Sequence, residues 1–344
     1  MQRLMSSPQL ATGLLLLALV LAFSASLTQG AVSLSVWQVY GTLSGLLDDA
    51  YAQLVIIDIR LPRVVLGAIV GAGLAIAGAA MQGLFRNPLA DPGLVGVSSG
   101  AALAAVMVIV LGGTWLKQWT AFWGYFALPV AAFAGGLLVT AVIYKVSTRN
   151  GRTDVALMLL AGIAINAITG AATGIMTYFA TDEELRTLTF WSMGSLASAS
   201  WVDVAIAGFP ILCACGLLPL FARPLNAFLM GESVTRHSGF DVRRMKRLVI
   251  SLTALAVGAA VAVSGVIGFV GLVAPHLVRL LVGPDHRWVL PLSAMMGAFL
   301  VVVSDIFARL LISPAELPIG LVMAAIGGPF FLWLLLQQRA RVGF

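Results

Sequence analysis

Three arginines are the residues whose type and position point most directly to chemistry. Arg60 and Arg63 open one apolar segment, and Arg309 lies near the end of another. The planar guanidinium of arginine binds a carboxylate through two parallel hydrogen bonds. If the three side chains face outward, they form a cationic surface for acidic side chains of an external partner. Alternatively, they anchor the ends of apolar helices, and Asp305, four residues before Arg309, allows a structural ion pair.

The sequence lacks the constellations of several enzyme classes. It contains no GxxxxGK[ST] phosphate loop and no HExxH zinc motif, so we do not expect this chain to hydrolyse ATP or to be an enzyme. His237, His276 and His286 are scattered, and Cys213 and Cys215 lie within an apolar run, as buried thiols do. The apolar segments also lack the series of acidic and lysine residues expected of an ion-coupled carrier. We therefore expect no bound metal or cofactor.

The composition indicates where the arginines lie. Hydrophobic residues make up 60% of the 344 residues and charged residues only 10%. Because soluble domains carry about 25% charged residues, the chain is predicted to be an integral membrane protein. Its net charge of +6 comes from basic residues in short loops between apolar runs, which is typical of membrane orientation rather than of nucleic-acid binding.

The apolar segments predict an all-α polytopic fold with ten transmembrane helices. A helix rises about 1.5 Å per residue, so about 20 residues cross a hydrocarbon core of about 30 Å. The first segment resembles a signal peptide, but its length favours a span. The eighth is too short to cross alone and is expected to be a half-helix buried by its neighbours. The predicted helices are 10–27, 64–84, 93–111, 126–146, 155–179, 202–220, 248–273, 276–281, 289–310 and 319–336.

Charge in the loops predicts the orientation. With ten crossings and cytoplasmic N- and C-termini, 14 basic residues fall on the cytoplasmic side and 5 outside, as the positive-inside rule requires. The basic segment 226–247 then lies inside, either as a solvated loop or as a short surface helix against a cytosolic partner. We treat 1–344 as a single transmembrane domain. Its parts are 1–59 (first helix and external segment), 60–225 (helices two to six), 226–247 (cytoplasmic segment) and 248–344 (helices seven to ten).

Small residues predict where helices pack closely. Gly67 and Gly71, and then Gly96 and Gly100, stand four residues apart. This GxxxG spacing lets two helix backbones approach each other in lipid. We therefore expect close packing along the second and third helices, although the motif alone is common in membrane proteins.

Four motifs, in order from Arg60 to the C-terminus, resemble the permease of bacterial iron-siderophore, haem and vitamin B12 importers. They read RLPR…GAGLAIAGAAMQGLFRNPLADPGLVGVSSGA, GE…G…R, GFVGLVAPHLVRLLVGPDHR…LP and DIFAR…ELPIG…GGPFF. The resemblance implies a homodimer of ten-helix subunits around a central pathway in the bacterial inner membrane. It also implies two cytosolic ATPase subunits, which bind ATP and Mg²⁺, and one periplasmic substrate-binding protein.

The resemblance also assigns roles to residues that match the motifs. Arginines at the outer face would meet glutamates of the binding protein, a cytoplasmic segment would couple to the ATPase, and two short segments would form a cytoplasmic gate. The residues are Arg60, Arg63 and Arg309 for docking; Gly231, Glu232, Thr235 and Gly239 for coupling; Asn87, Leu89, Thr153 and Asp154 for the gate; and Asn166 and Met176 for the pathway.

Two further stretches indicate which cargo to expect. TFWSMGSL and SPAELPIG…GGPFFLWLL look most like the haem-importing branch of this family. Haem is therefore the expected cargo, followed by a ferric siderophore and then cobalamin. The competing class is an ion-coupled secondary carrier, which would work without an ATPase or a binding protein.

Overall fold

The computed structural model describes residues 7–30, 32–149 and 152–342, and most of them are helical. The helices are α1 (Pro8–Thr28), α2 (Val36–Leu43), α3 (Ala50–Gln53), α4 (Leu61–Phe85), α5 (Val97–Leu111), α6 (Lys117–Trp123), α7 (Ala127–Val146), α8 (Val155–Tyr178), α9 (Asp182–Ser192), α10 (Trp201–Leu217), α11 (Ala222–Leu229), α12 (Glu232–His237), α13 (Val242–Ser264), α14 (Val270–Val282), α15 (His286–Leu310) and α16 (Ile319–Val342). A π-helical segment, Leu54–Arg60, joins α3 to α4 without a break. Strands β1 (Thr148–Arg149) and β2 (Arg152–Thr153) form an antiparallel hairpin between α7 and α8.

Within the described residues, seven helical segments are long and apolar enough to cross a membrane. They are α1, α3–α4, α6–α7, α8, α10–α11, α13 and α15. Three shorter apolar helices accompany them: α5, α14 and the portion Ile319–Leu334 of α16. The chain is therefore a polytopic helical membrane protein.

Helix α4 lies at the centre of the bundle, where it packs against α10, α13, α14 and α15. A Cβ atom on Gly71 would overlap with the backbone of Gly297 in α15, and one on Gly78 would overlap with the backbone of Gly271 in α14. Contacts this close need glycine, because a side chain would overlap with the neighbouring backbone. In lipid, dispersion between such closely packed backbones helps to hold the helices together. The close packing predicted for this helix is confirmed.

The second predicted glycine pair also lies at a helix contact. A Cβ atom on Gly100 of α5 would come 2.5 Å from the carbonyl oxygen of Gly135 in α7. Gly96 precedes α5 with φ of +81°, a left-handed conformation that favours glycine. The pair thus sets both the start of α5 and its distance from α7.

The predicted seventh and eighth helices were wrong in their boundaries. Helix α13 ends at Ser264 rather than at residue 273, because Gly265 and Phe269 both adopt positive φ (68° and 66°) and break the helix. Helix α14 then begins at Val270 and is 13 residues long. The uninterrupted apolar sequence conceals this break.

Two stretches between the long apolar helices contain short helices. Residues 30–59 include α2, α3 and most of the π-helical segment, and α9 lies within 181–200. Thr181 and Glu184 form a reciprocal capping box at the start of α9, which fixes where this helix begins. The polar residues of both segments therefore lie on short helices rather than in irregular loops alone.

The two ends of the bundle are defined by the central helix α4. The end at which α4 begins is called the "Arg63 end", and the end at which α4 stops is called the "Arg86 end". Charged side chains gather at both ends, so each end is a candidate site for a partner.

Candidate functional site: the two ends of the bundle

An ionic cluster at the Arg63 end joins α4, α15 and the loop before α16. The guanidinium of Arg63 donates to Asp305 through Nε (3.0 Å) and Nη2 (2.9 Å), and to Glu316 through Nη1 (2.9 and 3.0 Å). Arg309 Nε lies 3.1 Å from the other oxygen of Asp305, which makes a second ion pair. The side chain of Asp305 is 4% exposed, whereas that of Glu316 is 39% exposed. One arginine therefore holds one buried and one accessible carboxylate.

The other two arginines bind the end of α1. Arg60 donates from Nη1 to the carbonyl oxygens of Leu27 (2.6 Å) and Thr28 (3.1 Å). Arg309 donates to the Ser26 hydroxyl at 2.7 Å and to the Gln29 carbonyl oxygen at 3.0 Å. The last carbonyls of a helix lack partners within the helix, and positive charge there is favourable. These arginines thus cap α1.

The structure does not leave the three arginines free at the surface. Each is no more than 8% exposed, and the guanidiniums of Arg60, Arg63 and Arg309 bind groups of the chain itself. The physical reason is convergence over long sequence distances. The α1 carbonyls, Asp305 and Glu316 meet at one point, which residue spacing cannot reveal. The structural ion pair of Asp305 and Arg309, the alternative interpretation, is present. Docking of a partner at this end stays a prediction.

At the Arg86 end, the first predicted gate segment forms a tight turn after α4. Arg86 takes a left-handed conformation with φ of 51°, which ends the helix. The Asn87 side-chain oxygen then accepts the Leu89 backbone N–H at 2.9 Å. Asn87 is exposed and Leu89 half-buried. The turn therefore presents a polar side chain and an apolar side chain at this end.

The second predicted gate segment, Thr153 and Asp154, lies at the end of β2 and just before α8. Thr153 is buried, and its hydroxyl lies 2.9 Å from that of Thr148 on the opposite strand. Asp154 is exposed and caps α8 by accepting the backbone N–H groups of Ala156 (2.8 Å) and Leu157 (3.1 Å). Asp154 therefore fixes the first residue of α8.

The predicted coupling residues surround the short helix α12. Gly231, with φ of 123°, precedes it, and Gly239, with φ of 83°, follows it. Thr235 is buried, and its hydroxyl donates to the Gly231 carbonyl oxygen at 2.8 Å. The sequence left open whether this segment is a loop or a short helix. The structure shows two short helices, α11 and α12, before α13.

Glu232 is the charged member of this segment. It accepts from Lys246 Nζ at 2.9 Å and also pairs with Arg236, one helical turn away. Partial burial alone would raise the pKa of Glu232, but the hydrogen bonds and charges of Lys246 and Arg236 outweigh it and lower that pKa below its ordinary value. Glu232 is therefore ionised and held in place at neutral pH.

The sequence did not single out Lys246 from the other basic residues of its segment. The Lys246 side chain is only 5% exposed, and its ammonium also donates to the Thr153 carbonyl oxygen at 2.8 Å. One signal was available: Val242, Met245, Val249 and Ile250 form a buried stripe at helical spacing, and residue 246 lies on it. A lysine within such a stripe needs partners, and the structure provides them.

A second polar cluster that the sequence did not predict joins α11 to α15. Asn226 donates to Asp285 at 2.6 Å, and its side-chain oxygen accepts from the His286 backbone at 2.9 Å. That oxygen also lies 2.8 Å from His286 Nδ1. These contacts fix one end of the predicted coupling segment to the start of a long span.

The predicted pathway residues lie on α8. The Ser99 hydroxyl of α5 donates to the Asn166 side-chain oxygen at 2.6 Å, so Asn166 faces a neighbouring helix. Met176 is half-buried near the other end of α8. Among the seven long spans, α8 has the smallest buried share. It is the span with most surface left for contacts outside this chain, and pathway lining stays a prediction.

Potential metal ligands are scattered over the bundle. Residues 7–30, 32–149 and 152–342 contain no group of three His, Cys, Asp or Glu side chains arranged as a metal site. Cys213 and Cys215 are free thiols, partly buried on α10.

The sequence matches the model of the FecCD transport family over residues 16–337. It is 47% identical over 332 residues to the hemin transport system permease protein HmuU of Yersinia pestis, covering 96% of this chain and 97% of that protein. It is 43% identical over 290 residues to the cobalamin import system permease protein BtuC of Halobacterium salinarum, covering 84% and 75%. The vitamin B12 permease BtuC of Klebsiella pneumoniae is 42% identical, with 85% and 86% covered.

The fold has a close counterpart among solved structures. A protein described as a metal-chelate type ABC transporter in an inward-facing conformation superposes with a TM-score of 0.84 at 33% sequence identity. The match covers 96% of this chain and 100% of that chain. The similarity therefore extends over nearly the whole helix bundle, from the Arg63 end to the Arg86 end.

Proposed function

Because this chain belongs to the FecCD transport family, as a multi-pass permease subunit of the inner membrane, we propose that it carries haem in an ATP-driven, binding-protein-dependent importer. The observation that carries this proposal is the similarity to a hemin permease over nearly the full length of both chains. A ferric siderophore or cobalamin is the alternative cargo, since cobalamin permeases are also similar. An ion-coupled secondary carrier is the alternative of a different class.

We propose ten crossings, made of the seven long spans and the three shorter apolar helices. Helix α14, with 13 residues, covers only about 20 Å at 1.5 Å per residue, so it crosses with the help of the irregular backbone before it. The excess of basic residues in alternate loops supports cytoplasmic N- and C-termini. On this orientation the Arg63 end is periplasmic and the Arg86 end is cytoplasmic. The chain, 1–344, then acts as a single permease domain.

We propose that two copies of this chain form a homodimer around the transport pathway, with two cytosolic ATPase subunits and one periplasmic binding protein. The ATPase subunits bind ATP and Mg²⁺, and this chain needs no cofactor of its own. Helix α8, with Asn166 and Met176, would line the pathway, because it has the least buried surface among the long spans. Cargo would bind weakly there, since high affinity belongs to the external protein.

We propose that the binding protein docks at the Arg63 end through exchange of one carboxylate. Glu316 is accessible and Asp305 is not, so a glutamate of the partner can replace Glu316 on Arg63 while the buried pair stays intact. Arg60 and Arg309 would support the docking surface by holding the end of α1 beneath it. This form of docking avoids leaving a buried charge without a partner, which is strongly unfavourable.

At the other end, the segment with Gly231, Glu232, Thr235 and Gly239 would seat in a cleft of the ATPase. The turn containing Asn87 and Leu89, together with Thr153 and Asp154, would close the cytoplasmic side of the pathway. Closure of the ATPase dimer on ATP would displace α11 and α12, and the contacts at the Arg86 end would pass this movement to the gate. Transport by alternating access follows from such coupled displacement.

The test is transport by the reconstituted complex. Proteoliposomes containing the permease, its ATPase and its binding protein would receive haem, a ferric siderophore and cobalamin in parallel. We expect vanadate-sensitive, ATP-dependent haem accumulation that stops when the binding protein is omitted. Accumulation of another cargo would correct the substrate and retain the importer. Uptake driven by an ion gradient without ATP would replace the importer with a secondary carrier.

A further inference from the structure

The side chain of Lys246 is buried in the first turns of α13, where three neighbouring arginines lie closer to the surface. Arg243, Arg244 and Arg247 are exposed, whereas the Lys246 side chain is 5% exposed. Moving an ammonium group out of water is costly unless it is paired and hydrogen-bonded. A methionine would fill the same buried position without this cost. The role of the lysine therefore lies in the groups that its ammonium binds.

Its partners come from three separate elements. The ammonium donates to the Thr153 carbonyl oxygen of β2 (2.8 Å) and to the Glu232 carboxylate of α12 (2.9 Å). It also lies over the aromatic ring of Phe228 in α11, 5.3 Å from the ring centre, a favourable cation–π distance. One side chain on α13 thus binds both helices of the predicted coupling segment and the hairpin before α8.

The same aromatic ring connects to the other predicted gate segment. Phe228 is 2% exposed, and the guanidinium of Arg86 lies 5.5 Å from its ring centre. Arg86 ends α4 and directly precedes Asn87. Displacement of α11 would therefore move the turn after α4 through the contact of Phe228 with Arg86. It would move the hairpin through the contacts of Lys246.

We propose that Lys246 is a positioning residue that transmits movement of the coupling segment to the β1–β2 hairpin and so to the start of α8. The proposal rests on the proposed function, because it assumes that the ATPase displaces α11 and α12. Lys246 binds the main-chain oxygen of Thr153 and the carboxylate of Glu232. A movement of Glu232 would therefore displace the hairpin backbone without involving the side chains of the hairpin.

The test compares Lys246→Met with two matched variants in the reconstituted complex. Arg244→Met removes a neighbouring exposed charge, and Lys246→Arg keeps a charged donor in the buried position. The measured quantity is cargo accumulated per ATP hydrolysed, with the thermal unfolding midpoint of each permease recorded beside it. We expect Lys246→Met to lower this ratio about tenfold, a typical size for coupling between two sites. Arg244→Met should keep the wild-type ratio, and Lys246→Arg should restore most of it.

A wild-type ratio for Lys246→Met, with the ATPase still bound, would overturn the proposal. A loss of transport that only matches the loss of folded permease would also overturn it, since that result indicates a purely structural lysine. The ratio distinguishes these cases because less folded protein lowers transport and ATP hydrolysis together.

A second readout separates this proposal from the choice of cargo. Amide hydrogen exchange of residues 147–149 and 152–154 can be followed in the permease–ATPase complex with and without ATP. We expect ATP to change exchange in the wild type and in Arg244→Met but not in Lys246→Met. If no cargo is transported and this pattern is nevertheless found, the proposed cargo fails and the Lys246 linkage stands. An equal response in Lys246→Met and the wild type would refute the linkage even in a working importer.

Discussion

Arg63 offers a comparison between two carboxylates held by the same guanidinium. Arg63→Met would leave Asp305, which is 4% exposed, with Arg309 as its remaining cation, whereas Glu316, which is 39% exposed, would be solvated by water. Breaking a buried ion pair costs about 3–5 kcal/mol. Because Arg309 still compensates Asp305, we expect a value near the lower limit, about 3 kcal/mol. Glu316→Gln removes an accessible pair and should cost only about 0.5 kcal/mol.

Double-mutant cycles would assign the energy to each pair. Unfolding of the purified permease in mixed micelles would be followed for Arg63→Met, Asp305→Asn, Glu316→Gln and the two double variants that contain Arg63→Met. Interaction energies between contacting residues lie at about 0.5–3 kcal/mol. We expect about 2 kcal/mol for Arg63 with Asp305 and less than about 1 kcal/mol for Arg63 with Glu316. Equal interaction energies would refute the reasoning, because they would mean that burial does not decide the strength of these contacts.

The same cluster predicts how docking responds. Glu316→Gln should strengthen binding of the periplasmic protein, because it removes the carboxylate that competes for Arg63 while leaving the buried pair with Asp305 in place. Binding can be measured on immobilised permease at two salt concentrations, since accessible ion pairs weaken as salt rises. Asp182→Asn, a charge removal of the same size on exposed α9, is the matched control. Weaker binding by Glu316→Gln would place the exchangeable contact elsewhere.

Three further predictions concern packing, pH and the second polar cluster. Gly78→Ala should lower the unfolding midpoint clearly, because its Cβ would meet the backbone of α14, whereas Gly174→Ala, with nothing within 4 Å, should leave it unchanged or slightly raised. The pKa of Glu232 is lower in the folded chain than in the unfolded chain, so ionised Glu232 stabilises the fold above the ordinary glutamate pKa. This stabilisation is lost as pH falls through the pKa of Glu232 in the folded chain. The difference in stability between wild type and Glu232→Gln should therefore shrink on acidification. Asn226→Ala should destabilise by about 1–3 kcal/mol, since a part-buried hydrogen bond at His286 is lost, and an unchanged melting curve would contradict this.

The positions of most long helices could be predicted from the sequence because their signals are local. The fifth predicted helix, 155–179, became Val155–Tyr178, since Asp154 caps its start and an apolar run follows. The boundary near residue 273 failed because the break depends on Gly265 and Phe269, which interrupt the helix without interrupting the apolar pattern. Local polarity therefore predicts where a span lies better than where its backbone turns.

The candidate sites were predicted less completely because their partners are distant in the sequence. Motif resemblance identified Arg63, but its burial depends on Asp305 and Glu316, which no local pattern connects to it. Lys246 was visible as one of several basic residues, and only its place on a buried stripe distinguished it. Side chains that join separate elements are therefore the part that sequence reasoning misses first.

The ionic cluster also constrains how the chain is assembled during synthesis. Arg63 precedes its counter-ions by 242 and 253 residues, so α4 enters the membrane long before Asp305 and Glu316 are made. The close contact of Gly71 with α15 likewise forms only after Gly297 has been synthesised. A nascent chain that stops before α15 therefore carries Arg63 without either of its counter-ions. Helix α15 and the loop before α16 therefore supply both counter-ions of a cation that is made much earlier in synthesis.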